Sequence, residues 1–121
     1  MLLVEDDREL RVLLARHMRR TGYEVTEARD GTSALTRLSD AICRCGASYF
    51  DLLVSDVRMP GHTGLDLLVE LRRCDWTMPV LLITAFGTDE LHHEVRRLGA
   101  AMLDKPLDFG TLDATISRLL S

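Results

Sequence analysis

Residues 51–56 have the sequence DLLVSD, in which a short apolar run leads directly to an acid. Four similar runs, rich in Leu, Val or Ile, occur elsewhere in the chain, and longer segments with helical spacing separate them. Short apolar runs between turn residues are typical of buried parallel strands. The predicted strands are Leu2–Val4, Tyr23–Thr26, Asp51–Val54, Val80–Ile83 and Ala101–Leu103.

The intervening segments each place apolar residues on one helical face. In the first segment this face consists of Leu10, Leu13, Leu14 and Met18, and we expect its helix to end at Gly22. The last segment repeats the spacing in Leu112, Ile116, Leu119 and Leu120. Polar residues suited to helix N-caps are Asp7, Thr32, Thr88 and Asp108. The irregular stretch Ser39–Ser48 is predicted to be a loop.

Five strand–helix repeats predict an α/β fold with helices on both faces of a five-stranded parallel sheet. Right-handed crossovers leave few topologies for such a doubly wound (βα)5 chain, and strand order 2-1-3-4-5 is the one we expect. The chain of 121 residues has the length of one domain, residues 1–121.

The charge balance is mildly acidic, with 15 Lys+Arg against 19 Asp+Glu and a net charge of −4. Because this balance implies no large basic surface, we expect no direct binding of nucleic acid. No apolar run approaches the roughly 20 residues that cross a bilayer, and no signal peptide is recognisable. We therefore expect a cytoplasmic protein without membrane contact, whose three cysteines are free thiols.

Chemically reactive side chains follow four of the five predicted strands. Glu5 and Asp6 follow the first, Asp56 the third and Lys105 the fifth, while Thr84 lies at the end of the fourth. In an open parallel sheet, ligands bind outside the carboxyl ends of the strands, where the strand order reverses. The sequence therefore predicts that these five side chains share one cleft.

Three clustered carboxylates indicate a cation site. At 4 Å, each pair repels by about 4 kcal/mol at an effective dielectric near 20, so the cluster binds either protons or a cation. Oxygen ligands without a nearby His or Cys favour Mg²⁺ or Mn²⁺ over Zn²⁺. We expect Asp6 and Asp56 to ligate Mg²⁺ directly, Glu5 to help through water, and the backbone carbonyl of Arg58 to add one oxygen.

The same residues suit phosphoryl transfer. A carboxylate can attack phosphorus and form an acyl phosphate, and Asp56 is the central acid of the cluster. Lys105 would neutralise the phosphoryl oxygens, and the Thr84 hydroxyl would donate a hydrogen bond to one of them. Pro106, directly after Lys105, is a candidate for a cis peptide bond that would aim the lysine into the cleft.

Four motifs together resemble the receiver domain of two-component response regulators, over essentially the whole chain. They are LLVEDD at residues 2–7, SDVRMPG at 55–61 with Gly64-Leu65, VLLITA at 80–85 and DKP at 104–106. The resemblance implies a flavodoxin-like fold of the kind found in a chemotaxis regulator. The pattern around Asp56 is also similar to that of receivers attached to transcription activators.

The resemblance implies a phosphoacceptor switch rather than an enzyme with a separate substrate. A sensor histidine kinase or phosphotransfer protein would phosphorylate Asp56, with Mg²⁺ held by Glu5, Asp6, Asp56 and the Arg58 carbonyl. Thr84 would then move toward the phosphoryl group and alter the face formed by the fourth helix, fifth strand and fifth helix. That face would control an output domain or partner, or pair two copies as a homodimer. The only reactions expected are self-phosphorylation from a phosphodonor and self-dephosphorylation.

The sequence departs from the family at the second switch position, three residues before the lysine. Family members usually carry Tyr or Phe there, whereas this chain carries Met102, and the stretch from Gly99 to Lys105 is one residue short. A methionine could fill the same groove flexibly. Phe86 and Arg58 occupy positions that influence access of water to the acyl phosphate in the family, so we expect slow self-hydrolysis.

Three other functions are less consistent with the residues. An aspartyl phosphatase of the haloacid-dehalogenase type needs a second acid two residues after its nucleophile, where this chain has Arg58. A nucleotide or flavin site would need a glycine-rich loop after the first strand instead of three acids. A pseudo-receiver that binds partners without phosphorylation stays open, chiefly because of Met102.

Overall fold

The computed structural model describes residues 1–45, 50–59, 62–74 and 77–121. In these ranges five strands alternate with five helices, as the sequence predicts. In chain order they are β1 Leu2–Val4, α1 Arg8–Arg20, β2 Thr26–Ala28, α2 Gly31–Cys45, β3 Leu53–Asp56, α3 Gly64–Arg73, β4 Val80–Thr84, α4 Asp89–Arg97, β5 Ala101–Asp104 and α5 Phe109–Leu119.

The strands form one parallel sheet with the order β2-β1-β3-β4-β5, which confirms the predicted doubly wound (βα)5 topology. Asp56 pairs in register with Ile83, and Thr84 pairs with Asp104. The carboxyl ends of β3, β4 and β5 are therefore level. This alignment brings the side chains that follow these strands to one edge of the sheet.

Each face of the sheet carries its own apolar cluster, because successive strand residues point to opposite faces. On one face Val4, Leu53 and Leu82 pack against α2, α3 and α4. On the other face Leu3, Val54, Leu81 and Ile83 pack against α1 and α5 through Leu14, Met18, Leu112 and Ile116. The central strands are buried on both sides, and so they hold the site residues at their ends rigidly.

Helix caps explain where several elements begin. Asp7, Thr88 and Asp108 each accept a hydrogen bond from a backbone N–H in the first turn of their helix, as predicted. Thr32 is not a cap, since α2 begins at Gly31 and the Asp30 carboxylate accepts the Ser33 N–H at 2.7 Å. The predicted helix end at Gly22 is confirmed, with φ of 102° at that residue.

Three predicted segments were wrong. The third strand is Leu53–Asp56 rather than Asp51–Val54, because its pairing with β4 runs on to Asp56, opposite Ile83. The second strand is Thr26–Ala28 rather than Tyr23–Thr26, and Tyr23 and Val25 instead pack against the apolar cluster on the α1 and α5 face of the sheet as part of the connection. Helix α2 continues to Cys45 through most of the predicted loop Ser39–Ser48, of which residues 46–48 lie outside the described residues. Extending an existing helix fixes one residue per added hydrogen bond, so polar Ser39 and Asp40 are tolerated on its exposed side.

Smaller corrections concern residues outside the strands. Leu13 is 48% exposed and Leu120 37%, so neither lies on the buried face predicted for its helix.

Cys74 has a free, exposed thiol, while the side chains of Cys43 and Cys45 lie outside the described part of the structure. None of the helices in the described ranges combines the length and apolarity needed to cross a bilayer.

Candidate functional site

The turn from β1 into α1 buries one acid and exposes the next. Glu5 is 1% exposed, its carboxylate accepts the Asp7 N–H at 3.2 Å, and its carbonyl accepts from Arg11 at 2.9 Å. Asp6 is exposed. The cap at Asp7 then starts α1 immediately, so Glu5 and Asp6 stay at the sheet edge.

Asp56 is the last residue of β3 and is held from both sides. Its Oδ1 accepts the Arg58 N–H at 3.3 Å, and its Oδ2 accepts a hydrogen bond from Lys105 Nζ at 3.0 Å. A Cβ built on Gly64 would overlap the Asp56 carbonyl oxygen, so only glycine lets α3 start this close to β3. Asp56 is 7% exposed, which leaves its carboxylate near the surface but poorly hydrated.

Lys105 lies between two buried carboxylates. Its Nζ is 3.0 Å from Asp56 Oδ2 and 3.6 Å from Glu5 Oε2, and the Lys105–Pro106 peptide bond is cis, as predicted. Partial burial acts to lower the pKa of Lys105, but the hydrogen bond to Asp56 and the charges of Glu5 and Asp56 raise it above its ordinary value. The lysine is therefore a permanent cation in the cleft.

One cation does not balance the acids of this cleft. Burial, followed by the charge of Asp56, raises the pKa of Glu5 to about 7. An oxygen from each of Glu5, Asp6 and Asp56 lies within 4.8 Å of the others. Three hard oxygen donors with surplus negative charge fit a hard divalent ion such as Mg²⁺.

Thr84 ends β4 and is 1% exposed. Its hydroxyl oxygen accepts the Phe86 N–H at 3.1 Å, which ties it to the loop that leads into α4. The carbonyl of Thr84 accepts the Lys105 N–H at 2.7 Å. Glu5, Asp6, Asp56, Thr84 and Lys105 thus all lie at the carboxyl edge of the sheet, as predicted from the strand ends.

A family model described as the response regulator receiver domain matches residues 1–117. The chain belongs to this family. The sheet order and the strand-end residues are those expected of a receiver, so the resemblance seen in the sequence is confirmed for family and fold.

Individual relatives agree with this assignment. The transcriptional activator protein PfeR of Pseudomonas aeruginosa is 39% identical over 121 residues, which cover 99% of this chain and 37% of PfeR. The chemotaxis protein CheY4 of Vibrio cholerae has a TM-score of 0.83 at 31% identity, with 98% of this chain and 96% of that chain covered. The response regulator TrrA of Thermotoga maritima, solved in complex with Mg(2+)-BeF, has a TM-score of 0.81 at 27% identity, with 98% and 96% covered. The chain thus spans only about a third of PfeR but nearly all of both solved receivers.

The receiver carries Met102 on β5, opposite Leu82 of β4. Met102 is half-buried, packs against the apolar cluster of α2, α3 and α4, and lines a surface cavity of about 330 Å³ with His92, Arg96 and Leu119. The cavity lies on the face formed by α4, β5 and α5. The side chain at the usual aromatic position is therefore inserted in this face, and its switch role stays a prediction.

A pair from two different loops follows two of the receiver's site residues, Asp56 and Thr84, by two positions each. The Arg58 guanidinium carbon lies 4.3 Å from the centre of the Phe86 ring, a cation–π distance. Phe86 is 62% exposed, so the pair stands at the surface beside Asp56 and Thr84 rather than in the core. The sequence singled out both positions, but their mutual contact depends on loop placement that no local pattern encodes.

Sequence reasoning also missed one available signal. Lys105 is the only lysine among the 15 basic residues, the rest being arginine. Lysine presents a compact point charge, whereas arginine presents a planar fork. The one lysine of this arginine-rich chain lies where a compact charge meets two buried carboxylates.

The raised pKa of Glu5 predicts that the metal-free receiver loses stability as the pH rises. The folded chain favours protonated Glu5, so this contribution is complete below the ordinary value of 4.5 and is lost as the pH passes about 7. In chelator we expect the unfolding free energy to fall by about 2 kcal/mol between pH 5 and 8. Glu5→Gln should flatten this profile in chemical denaturation, whereas Glu90→Gln on exposed α4 should leave it unchanged. Equal profiles for wild type and Glu5→Gln would contradict the assignment.

Proposed function

We propose that this receiver is a phosphoacceptor switch, in which Asp56 takes a phosphoryl group from a histidine kinase or phosphotransfer protein. The observation that carries this proposal is the contact of Lys105 with the buried carboxylates of Asp56 and Glu5, beside Asp6. It combines a nucleophile, a fixed cation and spare oxygen ligands in one cleft. Of the candidate functions, phosphoryl transfer uses all three.

In the proposed step an Asp56 oxygen attacks the phosphorus of a phosphohistidine. The new O–P bond forms as the N–P bond breaks, and the imidazole nitrogen keeps the electron pair and takes a proton from solvent. Lys105 leaves its hydrogen bond to Asp56 Oδ2 to neutralise phosphoryl oxygens, and the Thr84 hydroxyl donates to another. Arg58 N–H holds the carboxylate in place through Oδ1.

Mg²⁺ is the cofactor that we propose, with Glu5, Asp6, Asp56 and the Arg58 carbonyl as its protein ligands. When bound, it supplies positive charge against the oxygens of the transferring group. The oxygen spacing and the surplus negative charge of the cleft support this ligand set. The Mg(2+)-BeF complex of the related TrrA supports it further.

The test is intact mass after incubation with acetyl phosphate, in Mg²⁺ and in chelator. We expect one added phosphoryl group in Mg²⁺, its removal by hydroxylamine, and no adduct in chelator. A folded protein without any adduct would favour the alternative, a binding module that signals without phosphorylation. Turnover of many phosphate esters per chain would instead favour a phosphatase.

The proposed output runs through the face formed by α4, β5 and α5 of this receiver. A partner, an attached output domain or a second copy would recognise the face after phosphorylation. Because PfeR is named a transcriptional activator, we propose control of transcription by a longer regulator in a bacterial cytoplasm. Light scattering with and without beryllofluoride tests the homodimer, which a monomeric mass in both conditions would contradict.

We expect the Arg58–Phe86 pair to slow self-hydrolysis of the acyl phosphate, since the bulk of both side chains near Asp56 and Thr84 would hinder an incoming water. Phe86→Ala removes the ring that stacks on the guanidinium and should shorten the phosphoryl lifetime roughly two- to fivefold, which corresponds to the loss of about 0.5–1 kcal/mol from an exposed cation–π contact. The measurement is loss of the phosphorylated mass with time after the donor is removed.

Val69→Ala is the matched control, because Val69 is an exposed apolar residue of α3 outside the cleft. This variant should keep the wild-type lifetime. A lifetime that lengthens in Phe86→Ala would show that the ring promotes hydrolysis instead of hindering it.

A further inference from the structure

A second polar pair lies beside the cleft and has no part in the proposed phosphoryl transfer. His92 Nε2 is 3.1 Å from Asp104 Oδ2 and 3.2 Å from Asp104 Oδ1. His92 lies in the first turns of α4, and Asp104 is the last residue of β5, in register with Thr84. The pair thus bridges the start of α4 to the strand end next to the switch threonine.

The loop between β4 and α4 passes closely by this bridge. A Cβ built on Gly87 would overlap Asp104 Oδ1 and would lie 3.0 Å from His92 Nε2 and 3.2 Å from Thr84 Cγ2. Three side chains therefore converge on the same side of Gly87. Backbone movement of the loop toward this side is blocked while the His92–Asp104 bridge is closed.

The opposite end of α4 is anchored independently. The Arg72 guanidinium, from α3, donates to the Leu98 carbonyl at 2.8 Å and to the Met78 carbonyl at 3.1 Å. Since the C-terminal end of α4 is fixed in this way, the His92–Asp104 bridge acts on the N-terminal end and on the loop that precedes it. This loop contains Phe86, whose N–H is bound by the Thr84 hydroxyl.

We propose that His92 and Asp104 are positioning residues that hold the β4–α4 loop, and with it Thr84, in the resting arrangement. This inference rests on the proposed phosphoacceptor function. Turning the Thr84 hydroxyl toward a phosphoryl group on Asp56 must either break its bond with Phe86 N–H or carry the loop along. The His92–Asp104 bridge beside Gly87 opposes movement of the loop. It therefore raises the free energy needed to reach the arrangement in which Thr84 meets the phosphoryl group.

The test is the affinity for beryllofluoride in saturating Mg²⁺, measured by calorimetry on the intact chain. His92→Ala and Asp104→Ala should each bind beryllofluoride roughly two- to fivefold more tightly, the range expected for releasing one exposed polar side-chain contact. The double variant should gain nothing beyond either single one. His93→Ala, at the exposed neighbouring position of α4, is the matched control and should keep the wild-type affinity.

Two further variants separate positioning from simple structural damage. His92→Gln retains a donor for Asp104 and should restore affinity toward the wild-type value. Gly87→Ala places a methyl group against the bridge and should reproduce the tighter binding of Asp104→Ala. Damage to the fold would weaken the binding of beryllofluoride. A bridge variant that binds beryllofluoride more tightly, although its thermal unfolding midpoint is lower, therefore supports the positioning role.

The outcomes distinguish this inference from the function on which it rests. Unchanged affinity for beryllofluoride in both single variants, or additive gains in the double variant, would overturn the positioning role. Binding of beryllofluoride by the wild type would still support the phosphoacceptor function. A wild-type chain that binds no beryllofluoride in Mg²⁺ would overturn both.

Discussion

Asp56→Asn is expected to take up no phosphoryl group from acetyl phosphate in Mg²⁺, a loss of at least about a thousandfold. The amide keeps the shape of the side chain and can still accept the Arg58 N–H, but it lacks the nucleophilic oxygen that faces Lys105. In the wild type, repulsion from the Asp56 charge helps to raise the pKa of Glu5. The exchange to asparagine removes this repulsion. A cooperative thermal unfolding transition in chelator should show that the variant is folded, so that inactivity is not ascribed to unfolding.

Asp51→Asn is the matched control. It makes the same exchange at an exposed acid that precedes β3, at the end of the strand opposite to Asp56. Phosphorylation at the wild-type rate is expected there. If Asp56→Asn acquired a hydroxylamine-labile adduct as fast as the wild type, another acid would be the acceptor, and Asp6 would be the first to test because it shares the oxygen cluster.

The candidate site was largely predictable because it depends on strand ends. Asp56 and Thr84 each end a buried strand, and Lys105 directly follows one. A parallel sheet aligns these ends whatever the loops do, so errors of two residues in β3 did not displace Asp56 from the edge. The cis bond at Pro106 was likewise anticipated from its place after the lysine.

Other features were not encoded locally. Helix α2 extended through Ser39 and Asp40 because an established helix tolerates polar residues on its exposed side. The His92–Asp104 bridge joins residues that are 12 positions apart in the sequence. Its proposed role depends on Gly87, whose backbone lies close beside it. Such contacts depend on how α4 seats against β5, which periodicity does not specify.

Lys105→Met is expected to change two properties in opposite directions. Phosphorylation from acetyl phosphate should slow about a hundredfold, since the fixed charge that meets the phosphoryl oxygens is lost. Mg²⁺ should bind about tenfold more tightly at pH 8, because a unit charge 3.0 Å from Asp56 and 3.6 Å from Glu5 no longer repels the ion. Calorimetry for Mg²⁺ and intact mass for phosphorylation measure the two effects on the same sample.

The opposite signs are what make this prediction specific to the charge of Lys105. A variant that merely distorted the cleft would lose both metal affinity and phosphorylation, so a parallel decrease would contradict the assigned role. Lys105→Arg keeps the positive charge and should leave Mg²⁺ affinity near the wild-type value, although its planar fork fits a compact site less well.

Because Lys105 is the only lysine, reductive methylation with ¹³C yields one side-chain amine signal in NMR besides the N-terminus. A titration of that signal above the ordinary lysine range would show the pairing with Asp56 and Glu5 directly, and the signal should shift when Mg²⁺ enters the carboxylate cluster.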